Sequence, residues 1–137
     1  EGQVVGINTY KVSTGEGMGF AIPINVVKPI LDHVIQDGYF VPPLLGITGV
    51  DRQIARYVTE ETIDLEYGIL ITDIDASYGA YKAGMRTGDI ITKVAGVEVN
   101  TMLQMKAQLF KRDIGESIEI TYERNSKEQT VKVKLMQ

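Results

Sequence analysis

No cysteine occurs in the 137 residues, which removes disulfides, thiolate metal sites and cysteine nucleophiles from consideration. Compartment stays open, because exported proteins also lack cysteine. A single histidine, His33, confines imidazole chemistry to one position. No apolar run approaches the roughly 20 residues that a bilayer-crossing helix needs, and Glu1 to Asn8 lack the basic start of a secretory signal. The sequence itself therefore reads as soluble, neither membrane-spanning nor carrying a leader. Basic charge is also short: 18 acidic against 14 basic residues give a net charge of −4, and no Lys/Arg cluster interrupts that balance. No nucleic-acid partner is expected.

What is present has two textures. Gly2 to Thr9 is a β-branched run between glycines and predicts one strand; after the glycine-rich Thr14 to Gly17, Met18 to Ile24 is a second apolar run. Val27, Ile30, Leu31, Val34 and Ile35 then lie on one face of a helix predicted over Val26 to Asp37. Asn25 is its expected N-cap, Pro29 falls in its first turns and Gly38 is its expected C-cap. Pro42-Pro43 makes a stiff extended connector, which places a domain boundary between 1–43 and 44–137. Beyond it, period-two alternation predicts strands at Leu45 to Val50, Ile69 to Ile74 and Asp89 to Val94. A terminal hairpin follows, with Ile118, Ile120 and Tyr122 facing Val131, Val133 and Leu135 around an Asn125-Ser126-Lys127 turn. Helices are expected at Gln53 to Glu60 and Thr101 to Arg112. The fold class is α+β, a small partly open barrel or sandwich with two helices.

A catalytic reading finds little to work with. His33 sits on the predicted helix beside Ile30 and Val34, as a helix-surface histidine would. Ser13, Ser77, Ser117 and Ser126 lie in no strained nucleophile turn, so no catalytic residue is assigned. No metal site is assigned either: Glu60, Glu61, Asp64 and Glu66 read as a solvated face without ligand-loop spacing. Asp73 and Asp75 read as solvated carboxylates at a strand end. Gly15, Gly17 and Gly19 are followed by a strand, not a helix, which argues against a dinucleotide fingerprint, and no cofactor is expected.

The informative element is Leu44-Leu45-Gly46-Ile47, at the entry to the first strand of the second domain. A glycine between large apolar residues lets successive N–H groups converge into a nest for a carboxylate, with apolar walls for the residue that bears it. Thr48 and Gly49 continue the strand that such a ligand would pair with. The opposite wall is expected from helix Thr101 to Arg112, which has two apolar stripes: Met102, Met105 and Leu109, and Leu103, Ala107 and Phe110. One stripe serves the core, and the other either joins it or lines a groove, where methionines suit varied apolar side chains; spacing alone does not say which. Lys106 and Gln108 lie close enough to alter the groove's polarity. The candidate peptide-binding residues are thus Leu44, Leu45, Gly46, Ile47, Thr48, Gly49, Met102, Met105, Lys106 and Leu109.

Tyr78 to Ile91, reading YGAYKAGMRTGDII, followed by VAGVEV at Val94 to Val99, resembles the S-P-A-x-x-A-G-L-x-x-G-D-x-I-x-x-V-N-G-x-x-V core of bacterial PDZ domains. The match runs over about Leu44 to Met136. Gly79 stands where the family usually has proline, Ala95 replaces the asparagine of the N-G turn, and Leu44 stands where an aromatic or basic residue is common. Upstream, GQVVGINT and GMGFAIP resemble the end of the protease domain in HtrA (Do-type) serine proteases. The joint resemblance implies two closing strands and the linker helix of a trypsin-like β-barrel, then one PDZ domain. It further implies a parent serine endopeptidase, exported or anchored at the cell envelope and trimeric through its protease domain, whose catalytic His, Asp and Ser lie upstream of Glu1. The partners implied are hydrophobic C-termini of substrate or misfolded proteins, added as a strand, and the parent's own protease domain. Two other readings are a domain used mainly for packing between subunits and a PDZ domain from another membrane protease class.

Overall fold

Branched residues alternating with polar ones build most of the strands in the computed structural model, which describes residues 2–11, 19–58 and 63–137. The chain divides into two compact units, Glu1–Phe40 and Val41–Gln137. Thr14 to Gly17, Glu60 and Glu61 lie outside the described residues.

In the first unit, strand β1 (Gly6–Lys11) pairs antiparallel with β2 (Gly19–Pro23), with an irregularity between Asn8 and Tyr10. Helix α1 follows at Ile24–Asp37. It begins earlier than its sequence predicts, directly after Pro23, and Asn25 is inside the helix instead of capping it. Pro29 is consequently a full turn in, where its missing N–H costs the bond to the Asn25 carbonyl. Gly38 closes the helix in the left-handed conformation at φ 82°, its N–H donating to the Val34 carbonyl at 2.9 Å. The buried positions are Val26 and Pro29, whereas Leu31, Val34 and Ile35 of the predicted stripe are exposed.

The second unit is a six-stranded sheet in the order β3-β4-β5-β7-β8, with β6 paired to β5. Its strands are β3 (Ile47–Asp51), β4 (Ile69–Ile74), β5 (Ile90–Val94), β6 (Val97–Glu98), β7 (Ser117–Arg124) and β8 (Lys127–Lys134). The terminal hairpin turns on Asn125 and Ser126 alone, at φ 52° and 60°, because Arg124 pairs with Lys127. Two left-handed residues match the strand twist, as in a type I′ turn. Leu44 and Met136 exchange two backbone bonds, 2.7 and 3.1 Å, drawing the start of this unit against its end while the sheet remains open. Helix α2 (Arg52–Val58) and α4 (Met102–Leu109) stand near their predicted places. Helix α4 is shorter than the expected Thr101 to Arg112, stopping at Leu109. A single turn, α3 (Gly79–Lys82), is additional to the two helices expected. The core gathers Leu45, Ile69, Ile71, Met85, Ile91, Val94, Met105, Leu109, Ile118, Ile120, Tyr122 and Leu135. Beneath it, Asp89 accepts both arms of Arg124, Nε and Nη2, each at 2.7 Å, together with the Arg86 N–H at 2.8 Å. That carboxylate holds the Arg124 guanidinium above its ordinary pKa, chiefly through the hydrogen bonds.

Candidate functional site

Strand β3 is the sheet's edge, and the loop that feeds it fixes the site. Leu45 is anchored in the core, and its carbonyl accepts the Ala80 N–H at 3.2 Å. The Gly46 carbonyl accepts the Asp75 N–H at 2.9 Å. Both carbonyls are thus turned inward. The N–H groups of Leu45 and Gly46 find no acceptor among the described residues. Gly46 is left-handed at φ 80°, the conformation that lets neighbouring amides converge into a nest. A side chain there would force Tyr78 or the loop to shift: an added Cβ would lie 2.0 Å from Tyr78 Cβ. Alternation from Gly46 then turns the Ile47 N–H and C=O away from β4, to the unpaired edge.

The nest opens on a cavity of about 550 Å³, within the range that holds a small ligand or a few side chains. Leu44, Leu45, Gly46, Ile47 and Thr48 form one wall, and Met102, Met105, Lys106 and Leu109 the other. Gly49 does not line it. The register shifts between Thr48 and Gly49, and a Cβ at Gly49 would meet Ile69 Cγ2 at 2.8 Å and Met102 Sδ at 3.7 Å, so this position points between the sheet and α4. Helix α4 presents the Met102, Met105 and Leu109 stripe to the cavity, with Phe110 at its border. The second stripe is not a single face, for Leu103 is exposed and Ala107 buried. The helix is set by a capping box: Thr101 Oγ1 accepts the Gln104 N–H at 3.1 Å, while Gln104 Oε1 accepts the Thr101 N–H at 3.2 Å.

Pro42, Pro43, Asp73, Asp75 and Tyr78 complete the lining and were not among the sequence candidates. The Pro-Pro pair was legible only as a connector, and Tyr78 only as part of a motif. Asp75 accepts the Ser77 hydroxyl at 2.6 Å and its N–H at 2.8 Å, which pulls its carboxyl below the usual carboxylate range, the hydroxyl bond acting most strongly. Lys106 adds a cation to the helix wall. His33 belongs to the first unit, where Nδ1 lies 2.8 Å from the Pro29 carbonyl and the ring meets Phe40 edge-on at 5.6 Å. Among the described residues no helix is long and apolar enough to cross a membrane, and no group of three or more acidic or histidine side chains is placed to hold a metal.

An open strand edge, a glycine-turned amide nest and a helix across an apolar groove are the parts of a PDZ domain, and the PDZ domain family model matches residues 43–135. The chain belongs to that family. Along its whole length it is similar to Do-like HtrA serine proteases. It is 36% identical to the one from Bacillus subtilis, covering 100% of this chain and 32% of that protein. It is 30% identical to the periplasmic pH-dependent serine endoprotease DegQ of Escherichia coli, covering 98% and 30%. The chain therefore spans about a third of the length of these curated relatives. Among solved structures, a serine endoprotease from Yersinia pestis matches with a TM-score of 0.59 at 27% identity, over 98% of this chain and 43% of the other. The HtrA-type protease AlgW with tripeptide shares the fold, with a TM-score of 0.66 at 22% identity, over 98% and 46%.

Proposed function

We propose that the second unit is a peptide-recognition module that takes the free C-terminus of another protein. The terminus adds as a strand along the open edge of β3, its carboxylate meets the N–H groups of Leu45 and Gly46, and its last apolar side chain enters the cavity beside Met102, Met105 and Leu109. The observation that carries this reading is the pair of unpartnered amides at the mouth of an apolar groove. These N–H groups have no acceptor among the described residues, and an anionic acceptor is the strongest partner they can take. Main-chain bonds tolerate many sequences, while one buried side chain selects among ends, so micromolar affinity, about −8 kcal/mol, is the expected order. Affinity of that order suits inspection of exposed hydrophobic ends of misfolded proteins.

The resemblance to HtrA proteases extends the proposal to the parent. This chain would be a regulatory segment of an endopeptidase of the cell envelope, trimeric through its protease domain, and groove occupancy would feed or adjust proteolysis. The chain by itself would turn over no substrate, since the catalytic groups would reside in the remaining length.

Fluorescence anisotropy of labelled peptides ending in Val, Leu or Phe tests the module directly. Free acids should bind in the micromolar range and the matching C-terminal amides at least about tenfold more weakly, because a neutral amide forfeits the charge-assisted bonds. Equal binding of the two forms, or none, removes the nest from the account.

A further inference from the structure

The carboxyl group of Asp51 ends β3, is only 3% exposed, and is surrounded by N–H groups from two helices. Oδ1 accepts the Gln53 and Ile54 N–H groups at 2.9 and 3.0 Å, in the first turn of α2. Oδ2 accepts the Met102 N–H at 2.9 Å, at the first position of α4. Helix α4 already has a complete capping box from Thr101 and Gln104, so the start of the helix does not depend on Asp51 for its cap. What the bond adds is position. It fastens the groove's helical wall to the strand that forms the opposite wall. The fastening is close: a Cβ on Gly49 would stand 3.7 Å from Met102 Sδ, and Met102 itself lines the cavity.

We infer that Asp51 is the positioning residue that sets the width of the groove, and thereby how sharply it discriminates among C-terminal side chains; this rests on the groove being a C-terminal peptide site. A carboxylate offers two acceptor oxygens, one for each helix. An asparagine of the same shape offers one, and its amide would set N–H against N–H on the other side. In Asp51→Asn one helix is released, and α4 is the one held by a single bond. The same geometry links α2 to the groove, because anything that steadies Met102 steadies the carboxylate shared with Gln53 and Ile54.

The test measures the full chain by anisotropy against free-acid peptides ending in Ala, Val, Leu and Phe, with far-UV circular dichroism confirming that the variant is folded. The wild type should favour the larger apolar ends. Asp51→Asn should bind its best peptide about tenfold more weakly, the order of one hydrogen bond to a charged group, and the spread between the tightest and weakest ends should contract. Lost stability alone would lower affinities together and leave that spread intact. A folded variant with unchanged affinity and spread overturns the inference. A wild type that binds none of the acids overturns instead the reading of the groove. If the variant fails to fold, amide hydrogen exchange in the wild type decides. Saturation with the best peptide should slow exchange at Met102, Gln53 and Ile54 together, and slowing at Met102 alone, or at none of the three, contradicts the shared tie.

Discussion

Replacing Gly46 by alanine is the smallest perturbation that challenges both the loop and the groove. Two costs follow from the structure. The residue sits at φ 80°, where a left-handed L-residue costs about 1–2 kcal/mol. Its new Cβ would stand 2.0 Å from Tyr78 Cβ and 2.3 Å from Cγ, so Tyr78 or the loop must move, an overpacking cost of about 1–3 kcal/mol. Together Gly46→Ala should lose about 2–5 kcal/mol, a large part of a small domain's stability. Urea denaturation followed by circular dichroism measures it. Adding Tyr78→Gly separates the contributions, since it removes the colliding atoms and should return the overpacking share while the backbone cost remains. A Gly46→Ala chain within about 0.5 kcal/mol of the wild type, the scatter of an ordinary surface change, would refute the loop geometry and the nest derived from it.

Arg124→Met should leave the Asp89 carboxylate buried with only the Arg86 N–H as donor, costing about 3 kcal/mol, the lower end for a broken buried pair because Arg124 is itself one-third exposed; a loss below about 1 kcal/mol in the same urea assay would contradict it. Asp75 has a lowered folded pKa, so its contribution is present above the unfolded value and disappears as pH falls through the folded one. Ser77→Ala should therefore raise the Asp75 titration midpoint read by carboxyl carbon NMR, and an unmoved midpoint would deny the hydroxyl its part.

How much of this was legible in the sequence depended on whether local pattern or tertiary contact decides each residue. Ile69–Ile74 and the terminal hairpin stand where alternation puts them, because one face of each strand must be apolar. The turn α3 has neither length nor period to announce it; it forms because Ala80 is bonded to Leu45 and Gly79 leaves room for the Lys134 carbonyl, 2.0 Å from where its Cβ would be. Asn25 has the chemistry of a cap, yet the helix starts immediately after Pro23, whose fixed φ already suits that place. For the groove, Leu44 to Thr48 and the Met102, Met105 and Leu109 stripe could be named from glycine placement and helical spacing. Pro42 and Pro43 adjoin Leu44 but carry only a connector's signature, while Asp73, Asp75 and Tyr78 reach the cavity through the pairing of β3 with β4 and the return of the chain at Asp75. Gly49 shares a strand with groove residues but is not among those that line the cavity; a Cβ there would stand between Ile69 Cγ2 and Met102 Sδ, at 2.8 and 3.7 Å.

In the proposed complex a ligand's terminal carboxylate is held by the N–H groups of Leu45 and Gly46. Proton–nitrogen NMR spectra of the chain, recorded while a free-acid peptide ending in an apolar residue is added, test this at those two atoms. The Leu45 and Gly46 amide protons should move furthest downfield, as charge-assisted bonds form, and the peptide's C-terminal amide should leave them nearly in place. Saturable binding of the free acid with these two amides unmoved would contradict it.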